Sequence, residues 1–210
     1  MFSKRIKTIA SLVEKNSVVV DVGSDHGLVP IYLYKNNISN NIIASDISKN
    51  AISGAKNNIL KFNYPIKTIV SDGLKGIESK FDTLIITGMG FHTIKNIIQD
   101  SIKKMPDKVI LQTNSDHYLM RKFMYKLGYN LKTEIVLLDK KIYYNILKYE
   151  KGKCELSKKE LYFGKSNNID YFKYLYNKNK KIIKKAPIKR KIELIYLNCM
   201  LKSLLKKHRV

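Results

Sequence analysis

The segment Val18-Val19-Val20-Asp21-Val22-Gly23-Ser24-Asp25-His26-Gly27 constrains the fold more than any other. A β-branched apolar run ends in an acid and then in a glycine-bracketed loop. That order reads as a buried strand handing the chain to a helix. Glycines in such a loop accept positive φ and close approach by a ligand. In an open parallel sheet, ligands sit outside the carboxyl ends of the strands. A ligand site is therefore expected at this first turn.

The pattern repeats. Ile6, Ile9, Leu12 and Val13 recur at helical spacing over 3–14, with Ser3 as N-cap. Strands are predicted at 17–22, 42–46, 66–70, 81–87 and 108–112. Helices are predicted at 28–35, from Ser48 to about Phe62, at 91–103, and at 116–127 closed by Gly128. Two extended runs follow, 129–138 and 141–149, with no helix between them, and they should pair as a hairpin. The predicted fold class is α/β, a doubly wound, mostly parallel seven-stranded sheet with an antiparallel edge. From about 153 the strand signal ends. Two helices, near 167–185 and from Ile188 onward, flank Pro187 and read as a C-terminal α-helical hairpin. The expected division is a ligand-binding domain over 1–152 and a coiled-coil-like arm over 153–210.

Charge separates these two parts. The chain of 210 residues carries a formal net charge of +23. Residues 151–210 hold 18 basic against 4 acidic side chains, so the smaller part is the more positive. That asymmetry suits an arm that binds nucleic acid. Nearly all the cations are lysine, with only Arg5, Arg121, Arg190 and Arg209, so an AT-rich genome is a competing source of the charge. No run of 18 apolar residues occurs and the N-terminus lacks a leader-like apolar core, so a cytoplasmic protein without a membrane span is expected. Cys154 and Cys199 read as reduced fillers, and no cysteine zinc cluster or other metal site is expected.

Asp21, Asp46 and Asp72 end three successive strands. An acid after the second strand can take both ribose hydroxyls, because a carboxylate offers paired acceptors. Taken singly, each could instead cap the next helix. The dinucleotide fingerprint G-x-G-x-x-G is absent, and Asp25 stands where a glycine would approach a pyrophosphate. A carboxylate repels a pyrophosphate and attracts a sulfonium and an α-amino group. The loop favours S-adenosylmethionine over NAD.

Several motifs then fall in order: Ser3-Lys4-Arg5-Ile6-Lys7-Thr8-Ile9-Ala10, Asp21 to Gly27 with Pro30, Ser71-Asp72-Gly73-Leu74, Gly88-Met89-Gly90, and Leu111-Gln112-Thr113-Asn114. On these the chain resembles, over essentially its whole length, the bacterial TrmK-type tRNA methyltransferases, which methylate N1 of adenine 22 in the D-arm. The resemblance implies a class I, Rossmann-like methyltransferase fold, S-adenosylmethionine as cofactor and tRNA as partner. Two positions depart from the family pattern. Phe91 replaces the last glycine of GMGG, and Thr113 replaces the proline of LQPN.

Pattern and resemblance together give the expected site. Asp21, Gly23, Asp25, His26 and Gly27 would hold the cofactor from the first loop. Asp46, Ile47, Asp72, Gly73 and Gly88 would hold it from the later strand ends. Asp25, Met89, Gly90 and Asn114 would position the target base, although Asn114 could equally serve its own turn. His26 is read as orienting its loop. His92 and His117 are read as helix starters, and His208 as a tail residue without a role. Arg5, with Lys7, would contact phosphate or close the site. Lys173, Lys180, Lys181, Lys184, Lys185, Lys189 and Arg190 would grip backbone phosphates. Phe91 would either stack on an extruded base or pack beneath its loop. No oligomer is required. The competing functions are a non-catalytic RNA-binding module on this scaffold and a small-molecule methyltransferase.

Overall fold

The computed structural model describes residues 2–153 and 155–207; the expectations for Cys154 and His208 lie outside them. The elements run α1 (Lys4–Ser11), β1 (Val18–Val22), α2 (Leu28–Lys35), β2 (Asn41–Asp46), α3 (Lys49–Leu60), β3 (Lys67–Val70), β4 (Thr83–Met89), α4 (Phe91–Asp100), β5 (Lys108–Thr113), α5 (His117–Lys126), β6 (Tyr129–Asp139), β7 (Ile142–Lys151), α6 (Lys158–Phe163), α7 (Ile169–Ile183) and α8 (Ile188–Lys207). Ser3 caps α1 by accepting from the Ile6 amide at 3.3 Å, and Ser48 caps α3 from Ala51.

The seven strands form one sheet in the order β3-β2-β1-β4-β5-β7-β6. The first five are parallel, and β7 adds antiparallel to β5 and to β6. The order reverses between β1 and β4, where the crossovers pass to opposite faces and leave a crevice at the carboxyl edge. Val19, Ile42, Ala44, Ile85 and Ile110 face α1 and α2. Val20, Val22, Leu84, Ile86 and Leu111 face α4 and α5. Period-two alternation in each strand thus feeds two cores.

A third core joins the C-terminal helices to the sheet. Val136 of β6 packs with Phe163, Tyr171, Phe172 and Leu201, and Tyr143 of β7 lies against the same group. The Asn168 side chain accepts from the Tyr171 amide at 2.9 Å and donates to the Val136 carbonyl at 3.0 Å, capping α7 while docking it. On α8 the buried face carries Leu194 and Leu201. The face of Ile188 and Ile192 is 77% and 64% exposed.

The helical hairpin is anchored by an ion pair. Arg121 of α5 and Glu134 of β6 are 1% and 0% exposed and meet at 2.5 Å. Arg121 also donates to the carbonyls of Leu161 and Tyr162. Glu134 also accepts from Asn145 at 2.9 Å and from the Lys165 amide at 3.0 Å. Charges this deeply buried persist only when paired and fully hydrogen-bonded. Their partners lie on both sides of residue 152, so that position marks a change of composition within one continuous packing.

Candidate active site

A cleft of about 400 Å³ opens at the carboxyl edge, where β1 and β4 part. The loop after β1 and the end of β4 supply its walls, and Arg5, Ile6 and Ile9 of α1 close one side. Three acids, Asp21, Asp25 and Asp46, line it against a single arginine and His26. In a chain of net charge +23 this is a local inversion. Such a cleft attracts a cationic ligand and disfavours a polyphosphate.

Asp21 is fully buried near the end of β1. Burial pushes its carboxyl from an ordinary 3.8 up to about 7, the Ser24 hydroxyl pulls it back, and the Asp46 charge adds to the rise. Between about pH 4 and pH 7 the folded chain holds a proton here that the unfolded chain has lost. Raising pH through that window therefore withdraws stability. Asp21→Asn is expected to flatten the decline, with a higher melting temperature than the parent above pH 7. Thermal unfolding across this range reads the difference; parallel curves would contradict it.

The first loop is held tightly. Gly23 sits at φ 77, a conformation that favours glycine, and the tip of the Met89 side chain from β4 fills the space a Cβ would take. The amides of Gly23 and Ser24 donate to the Ser45 carbonyl at 2.8 and 2.9 Å, tying the loop to β2. His26 sits at φ 64, a conformation uncommon outside glycine, and Asn58 of α3 donates to its carbonyl. Asp25 and His26 are exposed at the mouth, 3.5 Å apart. Asp46 is half-buried, and one of its oxygens accepts from the Ser48 amide at 2.8 Å. The helix-capping role weighed for this acid thus uses one oxygen only.

The other expected residues divide. Gly88 and Met89 line the cleft, and a register shift between Thr87 and Met89 bends β4 there, just before Gly90. Asp72 ends its strand on the same rim, because the Ser71 amide pairs with the Asp46 carbonyl at 2.9 Å. It stands outside the cleft wall, is exposed, and pairs with Lys75 at 2.5 Å. Gly73 packs against Ile97 and Gly27 against Ala55 and Ile59, so both support loops from behind. Ile47 is exposed beside the rim.

Phe91 is only 6% exposed and meets Phe123 edge-on at 6.3 Å. Its ring offers no face to a base. The stacking role is corrected to packing beneath the loop, because an apolar first residue of α4 points into the core under the sheet. His117 begins α5 and His92 lies in the first turn of α4.

Arg5 and Asn114 belong to a chain of side chains that the sequence did not reveal. Arg5 donates to Gln112 at 3.4 Å and lies 5.2 Å over the Tyr144 ring. Gln112, fully buried, donates to Asn114 at 2.9 Å. Asn114 donates from its side chain to the Gly88 carbonyl at 2.7 Å and from its backbone to the Met89 carbonyl at 2.9 Å. The turn at residues 88–90 is thereby fixed from β5. The available signal was a glutamine directly after the apolar Val109-Ile110-Leu111 run and within the same strand, since a buried amide needs partners.

Lys7 is exposed on α1. Lys173 is exposed near the start of α7, and Lys180, Lys181, Lys184, Lys185, Lys189 and Arg190 are exposed from the end of α7 to the start of α8. Lys173 reaches Asp170, Lys180 lies over the Tyr176 ring and Arg190 meets Glu193. Lys181, Lys184, Lys185 and Lys189 pair with no carboxylate among the described residues, leaving an uncompensated basic face.

A doubly wound sheet with an antiparallel β7, an acid-lined cleft at its switch point and an acid ending β2 define a Rossmann-like methyltransferase fold. The chain belongs to the Methyltransferase domain family, whose model matches residues 2–147. It is similar to the tRNA (adenine(22)-N(1))-methyltransferase of Bacillus subtilis, at 32% identity over 155 residues. That match covers 71% of this chain and 65% of the Bacillus protein, just under two thirds of its length. The crystal structure of the B. subtilis m1A22 tRNA methyltransferase TrmK superposes with a TM-score of 0.83 at 26% identity, covering 98% of this chain and 99% of that one. TrmK of M. capricolum, solved with S-adenosylhomocysteine, gives 0.86 at 25% identity and covers 98% of each chain.

Proposed function

We propose that this protein transfers the methyl group of S-adenosylmethionine to N1 of adenine 22 in tRNA. The observation that carries the reading is the acid-lined cleft at the sheet's switch point in an otherwise strongly basic chain. It is supported by the similarity to methyltransferases that act at this position.

The residues present fit the donor. Asp46 keeps one oxygen free beyond its bond to Ser48, and a ribose hydroxyl pair suits it. Asp21 and Asp25 place negative charge where a sulfonium and an α-amino group need it. Leu28 and Ile47 offer exposed apolar surface beside them. When bound, the donor supplies an electrophilic methyl group.

The chain's own work is placement. Adenine N1 already carries a lone pair at neutral pH, so no strong base is needed. Methylation leaves a cation on the base, which the carboxylates of the cleft tolerate. The turn at residues 88–90, braced by Asn114, would hold the base in line with the methyl group. Asp25, at the mouth, would accept from the N6 amino group. Arg5, held by Gln112 and the Tyr144 ring, closes one side of the site. N1 lies on the pairing edge, so a paired adenine must leave its stack. The exposed lysines of α7 and α8 would hold backbone phosphates without reading sequence. A tRNA substrate would place the protein in the cytoplasm, and one chain supplies every wall of the cleft. Among the described residues no helix is long and apolar enough to cross a membrane.

Incubation with methyl-labelled S-adenosylmethionine, bulk tRNA and a small-molecule extract tests the reading. Label is expected in the RNA fraction; label confined to small molecules would remove RNA from the proposal. A linked result concerns pH. Donor affinity is expected to rise several-fold from pH 6 to pH 8 as Asp21 ionises, and Asp21→Asn should abolish the slope in calorimetry.

A further inference from the structure

A second cavity, of about 420 Å³, lies between α5 and the C-terminal helices. We propose that it is a nucleotide-binding site that takes one unstacked, non-target base of the RNA substrate. The inference rests on the tRNA reading above.

Position is the first argument. α5 starts at His117, three residues past Asn114, so the cavity opens on the same rim as the methyl-transfer cleft. Its far wall is built by α6, α7 and α8, the segment that carries the basic face. An RNA strand gripped by that face and feeding a base to the turn at residues 88–90 crosses this cavity.

Chemistry is the second. Tyr118 and Tyr162 both line the cavity and stack on each other with centroids 4.5 Å apart and planes at 16°, so an aromatic pair forms part of its wall. Leu175 and Leu197 add apolar surface. The Nε2 atom of His117 is buried and has no hydrogen-bond partner among the described residues. Burial and the neighbouring Arg121 push the imidazole down to about 4, despite the opposing Glu134, Thr113 carbonyl and Asp116. It is neutral at physiological pH, and an unpartnered neutral nitrogen is an acceptor awaiting an N–H donor. An exocyclic amine or ring N–H of a nucleobase supplies one. Lys122 lies 5.7 Å over the Tyr118 ring, which places a cation beside the cavity wall. An aromatic wall, one buried acceptor and a cation at the rim match a base better than an apolar peptide.

The test reads the cavity and the activity separately. First, the four nucleoside 5′-monophosphates are titrated in turn into the full chain saturated with S-adenosylhomocysteine, with ring signals of His117 and Tyr118 followed by NMR. Shifts of both with at least one nucleotide are expected. Second, tRNA affinity is compared across variants. Tyr118→Ala, which removes half of the aromatic pair in the cavity wall, is expected to weaken it about tenfold. Tyr118→Phe should retain it, and donor affinity should not change in either. His117→Leu should weaken tRNA binding several-fold, with partial recovery in His117→Gln, whose amide oxygen also accepts. Ring signals that no nucleotide moves, or tRNA affinity untouched in Tyr118→Ala, would overturn the proposal. If the parent chain bound no tRNA, the proposed function would fall, while the nucleotide titration would still decide whether the cavity takes a base.

Discussion

Glu134→Ala is expected to cost about 3–5 kcal/mol, the penalty for leaving a buried charge without its partner. For a chain of this length that is a fall in melting temperature of roughly 10 °C or more. Arg121 is almost completely buried and its two remaining bonds go to the carbonyls of Leu161 and Tyr162. Neither carries a formal charge. The same substitution strips the acceptor from Asn145 and from the Lys165 amide. Glu134→Gln keeps the shape and should lose less. Gly164→Ala attacks the network from the other side, because a Cβ there would overlap the Glu134 carboxylate, at φ 78 where a side chain is already strained. Truncation after residue 152 removes three of the backbone partners together. It is expected to lose donor affinity along with tRNA affinity, contrary to the separable arm that composition suggested. Thermal unfolding and donor calorimetry read all four variants. A truncated chain that binds the donor at parental strength would contradict the welded packing described here.

The second large effect is on donor binding. Asp46→Ala is expected to weaken S-adenosylmethionine at least tenfold, since a hydrogen bond to a charged group contributes about 1.5–3 kcal/mol. Asp46→Asn separates two roles. An amide oxygen can still accept from Ser48 and hold the start of α3. Its stability should therefore stay near parental while its donor affinity falls. Asp72→Ala is expected to change donor affinity far less, because that acid stands outside the cleft and is engaged by Lys75. Equal losses at Asp46 and Asp72 would contradict this ranking.

The sheet was legible because each parallel strand is a short apolar run rich in β-branched residues, four of the five closed by an acid or glycine, and such local runs need no distant information. The strand ends fell within two residues of expectation for the same reason. The rim of acids was legible too, though not that Asp46 lines the cleft while Asp72 is engaged by Lys75 beside it. The short helix α6 went unread. Its signal is a capping box of Ser157 and Glu160 with only six residues behind it. The apolar faces of α8 could not be ranked, because isoleucines and leucines alternate around the whole helix. Which face is buried follows from Val136 and Phe172 on other elements. Nothing local in the sequence marks Arg121, on a helix, or Glu134, in an alternating strand, as core residues. Only their meeting across 13 residues reveals them as core.

The destination of the methyl group is the most direct measure of what this protein does. A donor carrying a deuterated methyl, an unmodified tRNA transcript and the purified chain, followed by mass spectrometry of nuclease fragments, locate it. Deuterium on 1-methyladenosine at position 22, absent when that adenine is replaced by guanine, is the predicted result. Deuterium on another base, or tRNA left unlabelled while the donor is bound, would contradict it.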